Sequence, residues 1–333
     1  MRYRKLGSSD LEVSEIALGS WWLTHDGGVE TDVIGECTEA AFDAGITLFD
    51  TANVYGEGAA EVAWGQILSA HPRDSYVLAT KVYSPMSETD YGLSAAQISK
   101  QIDASLKRLR VDYVDLYQAH RFDSDVAIEE TIEGFQNVVA SGKARYIGFS
   151  EWTPKQIQAA IDIAGSDLFV SSQPQYSMLW QAPEDQVMPL CAANRISQIV
   201  FSPLAQGVLT GKYRPGQTFP SDSRAADEQS RADMAAEVLT EDTIAAVERL
   251  RPIAAEADME LQEMALSWVL RRDEVAAAIV GASRPEQINA NAKASGITLS
   301  PDLLAAIDDA LADAPLRGQT ITDGASEGIT HRD

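Results

Sequence analysis

Two cysteines in 333 residues are too few for a disulfide framework. Cys37 and Cys191 stand far apart in helix-like segments without metal-ligand spacing, so they read as reduced core thiols. Cations are scarce as well: 26 lysines and arginines face 50 aspartates and glutamates, a net charge of −24. A polyanion of that kind repels nucleic acid and anionic membranes, which excludes both as expected partners. The acidic residues are spread over helix-like faces such as TEDTIAAVERL at 240–250, as on a solvated surface. No stretch approaches the ~20 apolar residues of a membrane span, and the opening MRYRKLGSSD lacks a signal-peptide apolar run. The expected setting is therefore the cytoplasm. No G-x-G-x-x-G turn follows a strand-like segment, so the usual dinucleotide fingerprint is missing. What is present is a hydrophobic content of 45%, ample for a large core.

The apolar residues fall in short runs that alternate with amphipathic stretches, the pattern of buried parallel strands and crossover helices. Residues 3–13 carry a Gly-Ser-Ser-Asp turn between two short apolar pieces, which predicts a β-hairpin closing one end. SEIALG at 14–19 is the first strand, and the first helix, 31–45, stops on Gly45. ITLFD, SYVLAT, YVDLYQAH, ARYIGFS, LFVSSQ, SQIVFSP and AAAIVG follow as strands two to eight. Helices are expected near 59–69, 94–109, 125–141, 153–164, 184–193, 239–257 and 284–294. Ser94 and Thr153-Pro154 read as helix starts. Eight such units predict one (β/α)8 barrel spanning residues 1–333, because right-handed crossovers set each strand parallel to the last. The connection after strand seven, from Ala205 to about 238, is long and rich in Gly, Pro, Ser and charge. Such a loop at the barrel mouth suggests function.

Four residues close successive strands or the turns after them: Asp50 and Tyr55 in ITLFDTANVYGEG, Lys81 in SYVLATKVY, and His120 in YVDLYQAHRFD. Strand ends of a β/α barrel converge on one mouth, so these groups are expected to meet. A tyrosine near its ordinary pKa of ~10 is a weak acid at neutral pH. A neighbouring ammonium favours the phenolate, and a carboxylate can hold that ammonium. Lys81 and Asp50 fit that pairing, with Tyr55 as proton donor to a carbonyl oxygen and His120 orienting the substrate. Taken alone, each residue also reads as an ordinary loop, ion-pair or core-edge residue. Lys81 could instead serve as a Schiff-base amine in a lyase.

The ordered series ALGSWW (17–22), LFDTANVYG (48–56), ATKV (79–82), HR (120–121), RYIGFSEW (145–152), QPQYS (173–177), FSPLAQGVLTGKY (201–213) and GASRPEQINAN (281–291) resembles the aldo-keto reductase superfamily. Within it, the chain is similar to the branch of voltage-gated potassium-channel β subunits and their bacterial relatives. The resemblance spans nearly the whole chain. It implies a barrel that binds NADPH across its mouth, without a Rossmann domain, and reduces a small aldehyde or ketone. It equally admits a nucleotide-sensing binding subunit with little turnover.

By that resemblance, Gly19, Ser20 and Trp21 line the nicotinamide–pyrophosphate side of the cofactor. Ser150 and Gln173 would hydrogen-bond the nicotinamide amide, and Phe201 would stack on the ring. Ser202, Pro203, Leu204 and Gly207 would follow the pyrophosphate, with Lys212 and Arg224 closing over the phosphates. Gly281, Ser283 and Arg284 would meet the adenosine 2′-phosphate at a helix N-terminus. Gln287 and Asn291, four apart, would share one helix face toward the adenosine. Two departures bear on the choice of cofactor. Glu151 stands where relatives carry a neutral or basic residue, taken to flank the 2′-phosphate pocket. Ala290 replaces the usual glutamate near adenine. NADPH remains the expected cofactor, with NADH possible. Trp21, Trp22, Tyr55, Tyr83, Trp152, Tyr176 and Trp180 are candidate walls of the substrate pocket. Oligomeric state is open.

Overall fold

A computed structural model describes residues 1–21, 31–221, 223–226, 228, 238–312, 314–317 and 328–332. The chain opens with β1 (Tyr3–Lys5) and β2 (Glu12–Ser14), an antiparallel hairpin. Eight parallel strands then close on themselves: β3 (Ile16–Gly19), β4 (Leu48–Asp50), β5 (Val77–Val82), β6 (Val114–Ala119), β7 (Ala144–Ser150), β8 (Ser171–Gln173), β9 (Ser197–Val200) and β10 (Val275–Val280). β10 pairs with both β9 and β3, which seals the barrel. The predicted barrel and hairpin are both present. Among the described residues, no helix is long and apolar enough to cross a membrane.

Helices cover the outside in chain order: α1 (Thr31–Asp43), α2 (Ala59–Ile67), α3 (Ala95–Leu109), α4 (Ile128–Ala140), α5 (Pro154–Ala164) and α6 (Val187–Ala193). The predicted starts hold. Ser94 caps α3, and Thr153 forms a capping box with Gln156 ahead of Pro154. Among its described residues, the crossover from β9 to β10 carries α7 (Glu241–Glu256) and α8 (Leu261–Leu270), where the sequence pattern suggests one. Helix α8 is apolar on nearly every side and buried from Leu261 through Leu270 apart from Gln262 and Glu263, so it lacks an amphipathic signature. α9 (Pro285–Ala292) follows β10, and an unanticipated α10 (Pro301–Leu311) starts on a Ser300 cap. Within the long connection, short 3₁₀ turns occupy Ala205–Thr210 and Arg224–Ala226. Residues 222, 227 and 229–237 of it lie outside the described residues.

Side chains alternate across each strand. Phe49, Leu78, Tyr117 and Val280 face the helix layer, in the larger apolar cluster. Leu48, Val77, Ala79, Leu116, Ala277 and Ile279 face the barrel interior, where Leu6, Leu11 and Val13 of the hairpin region pack against them. The hairpin therefore plugs the end where the strands begin. Going up each strand, inward positions change from apolar to polar: Leu48 to Asp50, Ala79 to Lys81, Leu116 to Gln118 and on to His120. The polar layer is the mouth.

Candidate active site

The same alternation brings Gly19, Asp50, Lys81, Ser150, Gln173 and Phe201 to the inward face at or just beyond their strand ends. Gly19 must lack a side chain there, because a Cβ would lie 2.6 Å from Ile279 Cγ2. Tyr55 opens a 3₁₀ turn, Tyr55–Gly58, that bends through left-handed Gly56, Glu57 and Gly58. The segment leading to it is pinned to β5: Thr51 N–H donates to Ala79 O at 2.9 Å and Asn53 N–H to Lys81 O at 3.2 Å. His120 is fastened to the same strand, its N–H donating to Val82 O at 2.9 Å. Sequence-distant groups thus converge on β5.

Lys81 is fully buried and forms an ion pair with Asp50 Oδ1. Its ammonium also donates to Thr51 O at 2.9 Å and approaches Tyr55 Oη at 3.4 Å. The Tyr55 and His120 rings meet edge to face with centroids 5.6 Å apart. The predicted quartet is one cluster. The other carboxylate oxygen of Asp50 accepts from Gln173 Nε2 at 2.9 Å and Gln118 Nε2 at 3.2 Å. Asp50 therefore satisfies a cation and two amides at once, as a buried carboxylate must.

Burial, the largest single influence, would lower the Lys81 pKa, but the charge of Asp50 together with Tyr55 and the hydrogen bonds to both outweighs it, and the net direction is upward. Lys81 is an ammonium at neutral pH. For Tyr55, burial is the largest influence and raises the pKa, while Lys81 acts to lower it. The ammonium works in the direction the sequence argument requires, yet the net shift is upward. Tyr55 thus holds its proton at neutral pH, the state a donor needs. Burial, then the charges of Lys81 and Arg121, push His120 well below its ordinary value, so the imidazole is neutral. The two thiols are inert by the same physics: burial pushes Cys37 and Cys191 up to about 11.

Three residues of this network escaped the sequence reading. Gln118 carried a signal, since it is a polar residue at an inward strand position two before His120. Thr51 contributes a backbone oxygen, and its hydroxyl bonds Ser20 Oγ at 2.7 Å, which no pattern reveals. Arg121 stands in the sequence only as the second residue of the HR pair at 120–121. Its Nη1 donates to His120 O at 2.7 Å and to Ser150 Oγ at 3.4 Å.

The other side of the mouth is organised differently. Ser150 Oγ donates to Gln173 O at 2.8 Å. Phe201 is half-buried. Beyond it, Ser202, Ala205 and Gln206 are non-glycine residues at φ 51, 47 and 54, followed by Gly207 at φ 94. Left-handed geometry outside glycine is costly, and here it is concentrated in one turn. Successive N–H groups in such turns form anion-binding concavities. At Gly207 a Cβ would lie 3.0 Å from Lys212 Cε, so the Lys212 stem crosses this turn; its head is exposed. Arg224 lies over the Trp21 ring at 4.7 Å and donates to Gln206 Oε1 at 3.3 Å. Burial lowers its pKa, with only Tyr213 opposing, and no carboxylate pairs with it among the described residues.

After β10, Gly281, Ser283 and Arg284 are exposed, and Arg284 occupies the cap position of α9. Gln287 folds back onto its own helix end, its Oε1 accepting from Ser283 N–H at 2.8 Å, and Asn291 is buried. Gln287 therefore has a partner within the protein. Glu151 is corrected in position. Its Oε1 accepts from Gln175 N–H at 2.6 Å, beside the ends of β7 and β8. It therefore stands three strands around the barrel from the segment after β10. The aromatic wall is corrected too. Trp152 stacks on Phe149 at 5.0 Å in the core. Tyr176 is fully buried, with Arg271 Nη1 donating to its hydroxyl at 2.7 Å. Trp180 is 6% exposed, whereas Trp21 is 43% exposed and Tyr55 and Tyr83 are half-buried. Trp22 lies outside the described residues. Among the described residues, no cluster suits a metal ion.

Comparison with known proteins agrees with this architecture. The model of the aldo/keto reductase family matches residues 15–312. A protein described as a probable voltage-gated potassium channel subunit beta, from Arabidopsis thaliana, is 35% identical over 332 residues, covering 96% of this chain and 99% of that one. A putative subunit of the same kind from Schizosaccharomyces pombe is 36% identical over 95% of each chain. The L-glyceraldehyde 3-phosphate reductase of Escherichia coli strain K12 is 35% identical, covering 95% of this chain and 94% of its own. With the barrel, the mouth and these likenesses in agreement, the chain belongs to the aldo/keto reductase family.

Proposed function

We propose that the protein is an oxidoreductase that reduces a small aldehyde or ketone to an alcohol with NADPH. The observation that carries the reading is the fully buried Lys81–Asp50 pair placed against a protonated Tyr55 beside a neutral His120. Tyr55 Oη gives its proton to the carbonyl oxygen as the oxygen gains charge. The Lys81 ammonium stabilises the phenolate that this leaves, and Asp50 keeps the ammonium in place. His120, neutral and lodged beside Tyr55, orients the carbonyl oxygen. A bound nicotinamide cofactor would supply the hydride to the carbonyl carbon.

The mouth suits such a cofactor. Gln173 commits its Nε2 to Asp50 and Gln118, which leaves Oε1 as the group available to a carboxamide N–H. Phe201 offers a flat face to the ring, and Gly19, Ser20 and Trp21 bound the same space. The strained turn Ser202, Pro203, Leu204 to Gly207 suits a pyrophosphate, and Arg224 is a partly desolvated cation that no carboxylate pairs with among the described residues. Lys212, Arg224, Ser283 and Arg284 together favour NADPH over NADH, and the carboxylate of Glu151 is occupied elsewhere.

A second reading, a nucleotide-sensing subunit with little turnover, is favoured by the names of the channel-subunit relatives. A Schiff-base role for Lys81 is disfavoured, because an ammonium held by Asp50 is no nucleophile. Oxidation of NADPH and NADH against a panel of aldehydes separates the readings. Turnover faster with NADPH is expected. Tight NADPH binding without oxidation of any member would favour the sensing subunit, and borohydride trapping of an adduct on Lys81 would favour the lyase.

A further inference from the structure

Among the described residues, every lysine or arginine that is buried or half-buried pairs with a carboxylate, except two. Arg4 has Glu15, Arg73 has Asp115, Arg108 has Glu61, and Arg271 and Arg272 share Glu184. The exceptions are Arg121 and Arg224, and both stand at the mouth. In a chain with 50 acidic residues the lack of a counter-ion is informative. A partly desolvated cation is costly unless something neutralises it. Arg224 is accounted for by the phosphates of the proposed cofactor. Arg121 is not.

Arg121 follows His120 directly, and only its Nη1 is engaged, with His120 O and Ser150 Oγ. Its Nε and Nη2 carry no hydrogen bond and are not sealed from solvent. The planar fork of a guanidinium matches carboxylate and phosphate oxygens in pairs. Because this fork adjoins the group that orients the carbonyl, an anion reaching it must lie a few carbons from that carbonyl. We propose that Arg121 selects a small carbonyl substrate bearing an anionic group, a carboxylate or a phosphate, close to the reacting carbon. The proposal rests on the carbonyl-reductase reading. It also answers a physical difficulty: the field of a chain with net charge −24 repels anions, so their recognition requires a local cation. The same guanidinium is felt at Tyr55 and His120, consistent with its place beside the reacting groups.

The test compares kcat/KM for matched pairs, 4-oxobutanoate against butanal and glyceraldehyde 3-phosphate against glyceraldehyde, in wild type, Arg121→Gln and Arg121→Lys. The anionic-to-neutral ratio should fall at least ~10-fold in Arg121→Gln, chiefly through KM, as expected for loss of charged hydrogen bonds. Arg121→Lys should fall between, since it keeps the charge and loses the fork. The pair with the larger fall tells carboxylate from phosphate. Equal losses on anionic and neutral members would overturn the proposal and make Arg121 a tuning group for Tyr55 or a cofactor contact. If wild type reduces no aldehyde, the reductase reading fails separately. Calorimetric binding of 4-oxobutanoate and glyceraldehyde 3-phosphate to the NADPH-loaded protein then decides for Arg121. Binding of either that weakens at least ~10-fold in Arg121→Gln supports selection, and equal or absent binding overturns it.

Discussion

The two halves of the mouth satisfy their charges in opposite ways. Around the ends of β4, β5 and β6, the buried cation has its carboxylate, and Gln118, Gln173 and Thr51 complete the network. Past the end of β9, Arg224 rests on a tryptophan face with no acid partner among the described residues, beside a turn with three left-handed non-glycine residues. In the proton-handling half the buried cation and carboxylate are paired within the protein itself, while His120 Nδ1 is buried without a hydrogen-bond partner among the described residues. The other half, which the proposed reading assigns to the nucleotide, holds charge and strain that a ligand can relieve. Folding pairs the charges of the first, and in the proposed reading a bound nucleotide completes the second.

Removing one partner from the paired half should have the largest effect. Lys81→Met strands a buried carboxylate, and urea unfolding should show a loss of about 3–5 kcal/mol. Adding Asp50→Asn should restore much of that loss, because the stranded charge goes too. The same kind of change on the other half should reverse the pattern. Arg224→Met should leave urea stability within about 0.5 kcal/mol, while fluorescence titration shows NADPH binding weakened roughly 10- to 100-fold.

A third difference is in pH. His120 has a folded pKa below its unfolded value of ~6.5, so its contribution to stability is present above pH ~6.5. That contribution declines as pH falls below ~6.5 toward the folded value, at up to about 1.4 kcal/mol per pH unit. Unfolding free energies of wild type minus His120→Gln should show that slope on the acid side and none between pH 7 and 8. The smallest effect belongs to exposed Arg284. Arg284→Ala should reduce the preference for NADPH over NADH several-fold, less at high salt, when both are titrated.

The barrel was legible because parallel strands buried on both sides read as short apolar runs with helices between them. Helix α8 was not, since a helix buried on nearly all faces has no periodicity to find. The quartet was legible because its members close successive strands or the turns that follow them. Its inner support was less so: Gln118 could be seen from strand alternation, but the Thr51 oxygen belongs to the backbone and carries no residue signature. Trp152 and Tyr176 misled for a related reason. Sequence places an aromatic side chain near a strand end but does not say whether it turns to the mouth or to the core, and these turn to the core. Glu151 misled because the strand order around the barrel, which sets its neighbours, is a property of the closed sheet.

The central claim is that Tyr55 hands over the proton while the nucleotide half binds independently of it. Single-turnover oxidation of bound NADPH by a reactive aldehyde, in wild type and Tyr55→Phe, tests this most directly when paired with the NADPH dissociation constant of each. The account predicts an unchanged dissociation constant and a rate lower by about 10²- to 10⁴-fold. A Tyr55→Phe protein that binds NADPH normally and reacts at the wild-type rate would contradict it.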